Sequence, residues 1–372
     1  MKNADVIIVG GGVIGCSMAY YLAKSKIKAV VLEKEEIGVG ASSANGGGVR
    51  QSARDLREMP LAMHAVTKLW PGLTDELGVD VEYHQKGNLR LGKTEGHMEI
   101  LDRIVGQGKL AGLDLKIIGR DEVREICPYV SEEVIGASFC PTDGHANPMK
   151  TTLAFYKRAR ELGTTFITGE WVKSLLMTKG KISGVITGTN EYHASKVILA
   201  AGLESRTLAK TVGIDLPMQK IMLEALITEA LPKMFPQMIG TAAADFYGHQ
   251  TDHGSFVFGG VTGLEPFTSD ESQPVTRRFT APATCRAILG YFPCLEHTKI
   301  IRTWSGFLDE MADHVPVLGQ VEEVPGLTLA CGFSGHGFGI SPAVGQLVAE
   351  LIVNGQPSIS LEAFHYDRFR RV

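Results

Sequence analysis

The chain has 372 residues, 44% of them hydrophobic and 21% charged, with a formal net charge of −4. That is ordinary globular composition, enough for one large domain or two. The mildly acidic balance gives no electrostatic reason to expect nucleic acid or an anionic membrane as partner, and no apolar stretch reaches the roughly 20 residues that span a bilayer.

The six cysteines (Cys16, Cys127, Cys140, Cys285, Cys294, Cys331) are scattered without a C-x-x-C pair. Their spacing implies no metal site and no disulfide centre, and buried thiols in a reducing compartment are expected. The first apolar run is interrupted by glycines and lacks a cleavage site, so it does not read as a signal peptide; a cytoplasmic protein is expected.

In chain order, Val6-Ile7-Ile8-Val9 reads as a buried parallel strand, residues 12–26 as a helix and Ala29-Val30-Val31-Leu32 as a second strand ending at Glu33. A small-residue loop is expected over 38–48. Helical spacing of Met63, Val66, Leu69 and Trp70 predicts a helix over 55–78, followed by short strands and one helix near 95–111. An amphipathic helix is expected over 150–162 and another buried strand over 196–201. Residues 216–310 read as strand-rich and largely antiparallel, on the alternation around Phe256 and Phe258. The last segment reads as a strand over 327–330, a glycine-rich loop and a helix over 342–353, with Ser341 as N-cap and Pro342 at its first position. Parallel pieces at the start, middle and end, with antiparallel material between, predict interleaved domains: 1–80, 145–215 and 325–372 in one, 81–144 and 216–324 in the other.

Gly10, Gly12 and Gly15 satisfy G-x-G-x-x-G. The first allows a tight turn out of the strand, the second a close approach to pyrophosphate and the third close helix packing. The helix N-terminus, with Val13 and Ile14, then offers N–H groups and positive partial charge to phosphate. Glu33, twenty-three positions after Gly10, is placed to accept from ribose hydroxyls and argues against a 2′-phosphate. Strand, turn, helix and acid agree on a dinucleotide.

Three further stretches carry a resemblance to the FAD-dependent amino-acid oxidase superfamily, and within it to glycine oxidase, sarcosine oxidase and the β-type subunits of opine oxidases, proline and hydroxyproline dehydrogenases and hydrogen cyanide synthase. They are Gly40-Ala41-Ser42-Ser43-Ala44-Asn45-Gly46-Gly47-Gly48-Val49-Arg50, then Leu199-Ala200-Ala201-Gly202, then Gly332-Phe333-Ser334-Gly335-His336-Gly337-Phe338-Gly339. The resemblance implies an α/β (α+β) architecture: a Rossmann-like FAD-binding domain interleaved with a largely antiparallel substrate domain. It implies FAD contacts from Lys34 beside Glu33, from Ser42, Ser43, Asn45, Gly46 and Gly47, and from Val172. Ala200, Ala201 and Gly202 complete the set with Gly335, His336, Gly337, Phe338 and Gly339; no metal is implied. Arg50, Arg302 and His336 are the candidates for substrate contact and catalysis. Arg302-Thr303-Trp304-Ser305-Gly306 also matches the family, but the position of glycine oxidase's carboxylate-binding arginine holds Leu308.

What the resemblance implies for function is oxidation of a C–N bond in an amino acid or secondary amine. A hydride passes to flavin N5 and the imine hydrolyses. Two alternatives stay open: oxidation of a 2-hydroxy acid with His336 as base, or a flavin-bearing subunit that relays electrons to a partner. A partner subunit or homo-oligomer fits either; the apolar Met234-Phe235-Pro236 is one segment for such a surface, with packing inside its own domain the preferred reading. His64 and His145 are further polar candidates beside loops.

Overall fold

The structure is a computed structural model, and it describes residues 2–260 and 273–370. Its central layer is a six-stranded sheet in the order Val317–Gln320, Leu327–Cys331, Val197–Leu199, Val6–Val9, Ala29–Leu32, Thr165–Ile167. All neighbours run parallel except the outermost Val317–Gln320. The first strand shows why its sequence is apolar throughout. Val6 and Ile8 enter one core cluster and Ile7 and Val9 the cluster on the opposite face, so neither side of the pleat meets water.

One face of this sheet carries the helices Val13–Lys24, Pro148–Glu161 and Gly337–Asn354. The first and last pack closely at their glycines. A Cβ on Gly345 would lie 2.1 Å from Ser17 Oγ, and that hydroxyl donates to the Ser341 carbonyl at 2.9 Å.

A second, eight-stranded sheet runs Ile300–Met311, Met218–Ala230, Ser255–Gly260, Phe246–Gln250, Met238–Thr241, Asn88–Gly92, Gly136–Cys140, Lys116–Gly119. Its pairs are antiparallel except Met238–Thr241 with Asn88–Gly92. Leu89, Leu91, Leu226, Ile239, Phe246, Phe256 and Phe258 point to one face and form a separate core. The alternate residues point to the other face, towards the first sheet's loops. A smaller sheet joins Val172–Thr178, Lys181–Thr187, Glu191–His193 and Lys2–Asn3.

Several expectations need correction. The last helix begins at Gly337, with Pro342 inside it, so Ser341 is no cap; it is fully buried and its hydroxyl has no partner. Tertiary packing overrides the local signal here. Gly339 lets the first turn lie against the Gly48 carbonyl, at 3.0 Å from the position a Cβ would take, and this packing outweighs the one i→i−4 bond that Pro342, as the sixth helical residue, cannot donate. The helix over 55–78 starts only at Met59 and is broken into α, π and 3-10 segments. The loop over 38–48 contains the short helix Ala41–Ala44. The strand-rich region includes the helix Thr280–Tyr291. Val317–Gln320 pairs with Leu327–Cys331 in the first sheet, although its sequence position falls within the 216–324 stretch. Phe235, by contrast, packs inside the second core against Phe256 and Phe292, which is the preferred reading of Met234–Pro236 and leaves it no free apolar surface.

All six cysteines are free thiols. Among the described residues no helix is long and apolar enough to cross a membrane, and no cluster of ligating side chains is arranged to hold a metal ion.

The helix contact at Gly345 yields a stability prediction. Gly345→Ala forces a methyl group into Ser17 and should cost about 1–3 kcal/mol, as overpacking does. Gly188→Ala, where a Cβ meets nothing within 4 Å, serves as the control. Thermal unfolding of the two variants should show the midpoint falling clearly only for the first.

Candidate active site

The glycine turn is built by close contact. Gly10 has φ +110°, and a Cβ there would lie 2.3 Å from the Ala200 carbonyl oxygen; a Cβ on Gly15 would stand 2.0 Å from the Gly10 carbonyl. Gly12 differs, since its Cβ position meets only Ser42 Oγ, at 3.1 Å. Gly10 and Gly15 are therefore demanded by the fold itself. Gly12 leaves a concavity beside the helix N-terminus.

Glu33 closes the same turn. Its carboxylate accepts from Gly11 N at 2.7 Å and from Glu35 N at 2.9 Å, and its carbonyl accepts from Glu170 N at 2.9 Å. That last bond brings the start of the Val172–Thr178 strand beside the acid. Ala200, Ala201 and Gly202 follow the neighbouring parallel strand, with Ala200 N bonded to the Val9 carbonyl at 2.8 Å. Lys34 points outwards to Glu204 at 3.4 Å, with both side chains exposed. Ile14 is buried in the core and contributes only backbone to the turn.

The 41–50 segment crosses above this turn. Ser42 Oγ accepts from Val13 N at 2.9 Å, which puts a hydroxyl oxygen on a free N–H of the first helix. Ser43 is used locally, donating to the Val39 carbonyl at 2.8 Å. Asn45 shapes the bend: its amide donates to the Ser42 carbonyl and its oxygen accepts from Gly47 N. Gly47 has φ +72° and Gly46 lies beneath the Tyr247 ring.

The two ends of the chain meet through a buried ionic cluster that sequence reasoning did not find. Arg54 and Glu58 are 1% and 0% exposed at their side chains and 3.5 Å apart. Glu58 also holds His336 Nδ1 at 3.2 Å, while Arg54 donates to the carbonyls of Arg50 at 2.8 Å and His336 at 3.1 Å. Burial lowers the Arg54 guanidinium to about 10, although Glu58 opposes the shift. Burial pushes the Glu58 carboxyl up, but the His336 hydrogen bond and the Arg54 charge more than reverse it, leaving it below its usual value. His336 itself is lowered, by burial first, with Glu58 pulling the other way. The only sequence signal was an arginine and a glutamate one helical turn apart, ahead of an apolar run.

Arg50 commits one guanidinium nitrogen to the carbonyls of Ser52 and Ala53, at 2.7 and 3.0 Å. Asp143, also missed, is fully buried beneath it and accepts from Gln51 N at 2.8 Å and from the Ser52 hydroxyl. Phe338 packs into the core against Trp70, ring centroids 5.3 Å apart, so its contribution to the glycine-rich loop is through backbone alone. Gly335 has φ +79° and faces Leu308, whose Cδ1 would be 3.5 Å from a Cβ there.

The eight-stranded sheet closes the site from above. Trp304 Nε1 donates to the Ala44 carbonyl at 3.0 Å, and a Cβ on Gly306 would meet that of Ala44 at 2.6 Å. The Trp304–Gly306 pair therefore sits directly on the 41–50 segment, and Leu308, two residues further, on the 332–339 loop. Arg302 lies towards the exposed end of this edge strand, its guanidinium 5.9 Å from the Trp304 ring centroid.

Comparison with known proteins agrees with this geometry. The family model described as FAD dependent oxidoreductase (DAO) matches residues 5–351. The chain belongs to the DAO family. The beta chain of sarcosine oxidase from Arthrobacter sp is 29% identical, over 99% of this chain and 91% of that protein. An opine oxidase subunit from Rhizobium meliloti is 28% identical, over 99% and 98%. Among solved structures, L-proline dehydrogenase from P. horikoshii superposes with a TM-score of 0.93 at 30% identity, covering 100% of this chain and 98% of that one.

As a DAO-family oxidoreductase the chain uses FAD, and its residues fit that cofactor. The Gly12 concavity, the free N–H groups of the first helix and the Ser42 hydroxyl suit a pyrophosphate. Glu33 suits a ribose, and the N-terminus of the Gly337–Asn354 helix suits an electron-rich ring edge. His64 lies elsewhere, bonded to Gln346 at 3.0 Å. His145 stacks on His249, ring centroids 3.9 Å apart, with His84 at 5.2 Å.

This histidine stack makes stability depend on pH. Burial, then the neighbouring His84 charge, takes His145 down to about 4; burial and His145 hold His249 well below the usual value. The unfolded chain protonates both near pH 6.5, but the folded chain does not, so their contribution is lost as pH falls from there towards 4. Glu58 and Asp313 act in the same direction, whereas Asp309, raised to about 6 by burial, opposes them. The difference between variants isolates the histidines: in denaturant titrations, His145→Gln/His249→Gln should lose less stability between pH 7 and 5 than the parent. Equal losses would refute the assignment.

A second prediction concerns the buried pair. Glu58→Ala strands the Arg54 charge and should cost about 3–5 kcal/mol, while the volume-matched Arg54→Met/Glu58→Leu should recover part of it, the His336 ring and the Arg50 and His336 carbonyls remaining without these partners. Urea unfolding of the single and double variants checks this.

Proposed function

We propose that this protein oxidises the C–N bond of an amino acid or secondary amine, with the bound FAD accepting a hydride from Cα at N5 and the imine product hydrolysing in water. The observation that carries the reading is the closed arrangement of Trp304, Tyr247 and Leu308 over the 41–50 and 332–339 segments. An aromatic and apolar wall facing a flavin-binding surface suits positioning of a small amine, and positioning is what this chemistry needs most.

In this reading Gly10, Gly12, Val13, Gly15 and Ser42 hold the pyrophosphate, while Ser43, whose hydroxyl and N–H both donate to backbone carbonyls of its own segment, only shapes the loop; Glu33 and Val172 hold the adenosine end. Asn45, Gly46, Gly47, Ala200, Ala201 and Gly202 line the cofactor's path. The first-turn N–H groups after His336 stabilise negative charge on the reduced ring. His336, gripped at Nδ1 by Glu58 and kept neutral by burial, has Nε2 available to accept a proton from the substrate's ammonium. The names of the relatives support a partner as well: two of them are named as oxidase subunits, and the exposed Ile300 and Ile301 on the edge strand are compatible with assembly.

Anaerobic mixing of the holoenzyme with glycine, sarcosine, L- and D-proline, opines and 2-hydroxy acids tests the reading. Bleaching of the flavin band by at least one amine is the expected outcome. Bleaching by hydroxy acids alone would instead make His336 a base for a hydroxyl and overturn the C–N assignment.

A further inference from the structure

Strand register places six residues in one row across the large sheet. Arg90 pairs with Gly240, Gly240 with Tyr247, Tyr247 with Gly259, Gly259 with Ala225, and Ala225 with Trp304. Directly opposed residues share a face of the pleat. Trp304, bonded to the Ala44 carbonyl, and Tyr247, lying against Gly46, identify that face as the one over the cofactor-binding loops. Leu89 and Leu91, flanking Arg90, belong to the core behind the sheet. Asn88, on the same face as Arg90, touches Ser52 at 3.3 Å.

Arg90 is thus a guanidinium on the wall of the active site, and it is weakly committed. Among the described residues its one hydrogen bond is a long contact from Nη1 to the Thr241 carbonyl, at 3.4 Å, out of five donors that a guanidinium carries. Among the same residues, none of these donors has a carboxylate within ion-pair distance. The other cations here are engaged or remote: Arg50 with its own loop carbonyls, Arg54 with Glu58, and Arg302 at the exposed strand end. A Cβ at Gly240 would meet only the guanidinium carbon of Arg90, at 3.9 Å, so glycine at this position leaves the flank of that guanidinium uncovered.

Charge balance points the same way. Arg50, Arg54 and Arg90 are opposed by Asp143 and Glu58, which leaves one positive charge in excess. Asp143 moreover divides its charge among the Gln51 and Ser52 donors. Burial and the Arg50 charge both lower Arg90, to about 10, so an anion placed there would be favoured over water.

We propose that Arg90, beside the Gly240 gap and two strands from Tyr247, receives the carboxylate of the substrate. The inference rests on the amino-acid reading above and supplies the cation that Leu308 cannot. Guanidinium and carboxylate meet as a planar, two-bond pair, which orients Cα without taking part in the redox step. Arg90 is in this sense a binding and positioning residue.

The test uses holoenzyme with acetate as a minimal carboxylate and acetamide as its neutral analogue. Binding is followed through the flavin absorption spectrum and, independently, the shift in Tm. The parent should bind acetate saturably and acetamide at least ten-fold more weakly. Arg90→Met should weaken acetate at least ten-fold with FAD content unchanged, and Arg90→Lys should recover part of the loss. Gly240→Val, which keeps the guanidinium but fills the gap, should also weaken acetate, and it serves if Arg90→Met does not fold. Equal binding of acetate and acetamide, absence of saturable acetate binding, or undiminished binding in the variants would each overturn the proposal. Arg90-dependent acetate binding in an enzyme that no amine reduces would uphold the anion site while refuting the amine chemistry.

Discussion

A guanidinium and a carboxylate that water does not reach, Arg54 and Glu58, hold the two ends of this chain in a single site. Neither is stable alone in such a place, because an unpaired buried charge costs several kcal/mol. Together they fix more than each other. Arg54 reaches the carbonyls of Arg50 and His336, and Glu58 takes the His336 ring, so the segment after the N-terminal loop and the first turn of the last helix are set in common geometry. In the proposed reading that turn aims the helix dipole at the reduced flavin, and the cluster is what holds it in place.

The second constraint is the pleat of the large sheet. Its alternation separates a phenylalanine-rich core from a face bearing Trp304, Tyr247, Arg90 and Leu308. Glycines on that face and on the loop beneath it set how closely the two approach. Gly259 and Gly46 receive the Tyr247 ring, Gly306 lets the sheet settle on Ala44, and Gly240 leaves room beside Arg90. An active site forms because a sheet with one apolar face rests its other face on loops that are themselves shaped for a dinucleotide.

Legibility from sequence varied with the range of the interaction. The βαβ unit was readable because Gly10, Gly15 and Glu33 act within about thirty residues, and each has a local reason for its identity. The start of the last helix was misread for the complementary reason. Ser341 and Pro342 carry a strong local capping signal, but Gly337 and Gly339 lie in a turn that packs against Gly48 and Arg50, far earlier in the chain, and that packing extends the helix by a turn. Arg50 was a candidate for substrate contact, and its own loop carbonyls occupy one of its guanidinium nitrogens.

The sequence by itself determined that this is a dinucleotide-binding α/β protein, and family motifs at its two ends identified FAD. Those conclusions follow from short-range geometry, where a glycine or an acid has few alternatives. Only the tertiary structure decided that Arg54, Glu58 and His336 form one cluster, that Asp143 lies beneath Arg50, and that Arg90 shares a row with Tyr247 and Trp304. Such neighbours come from strand register and the crossing of distant segments. A side chain's position in the sequence does not record which row of a sheet it will join.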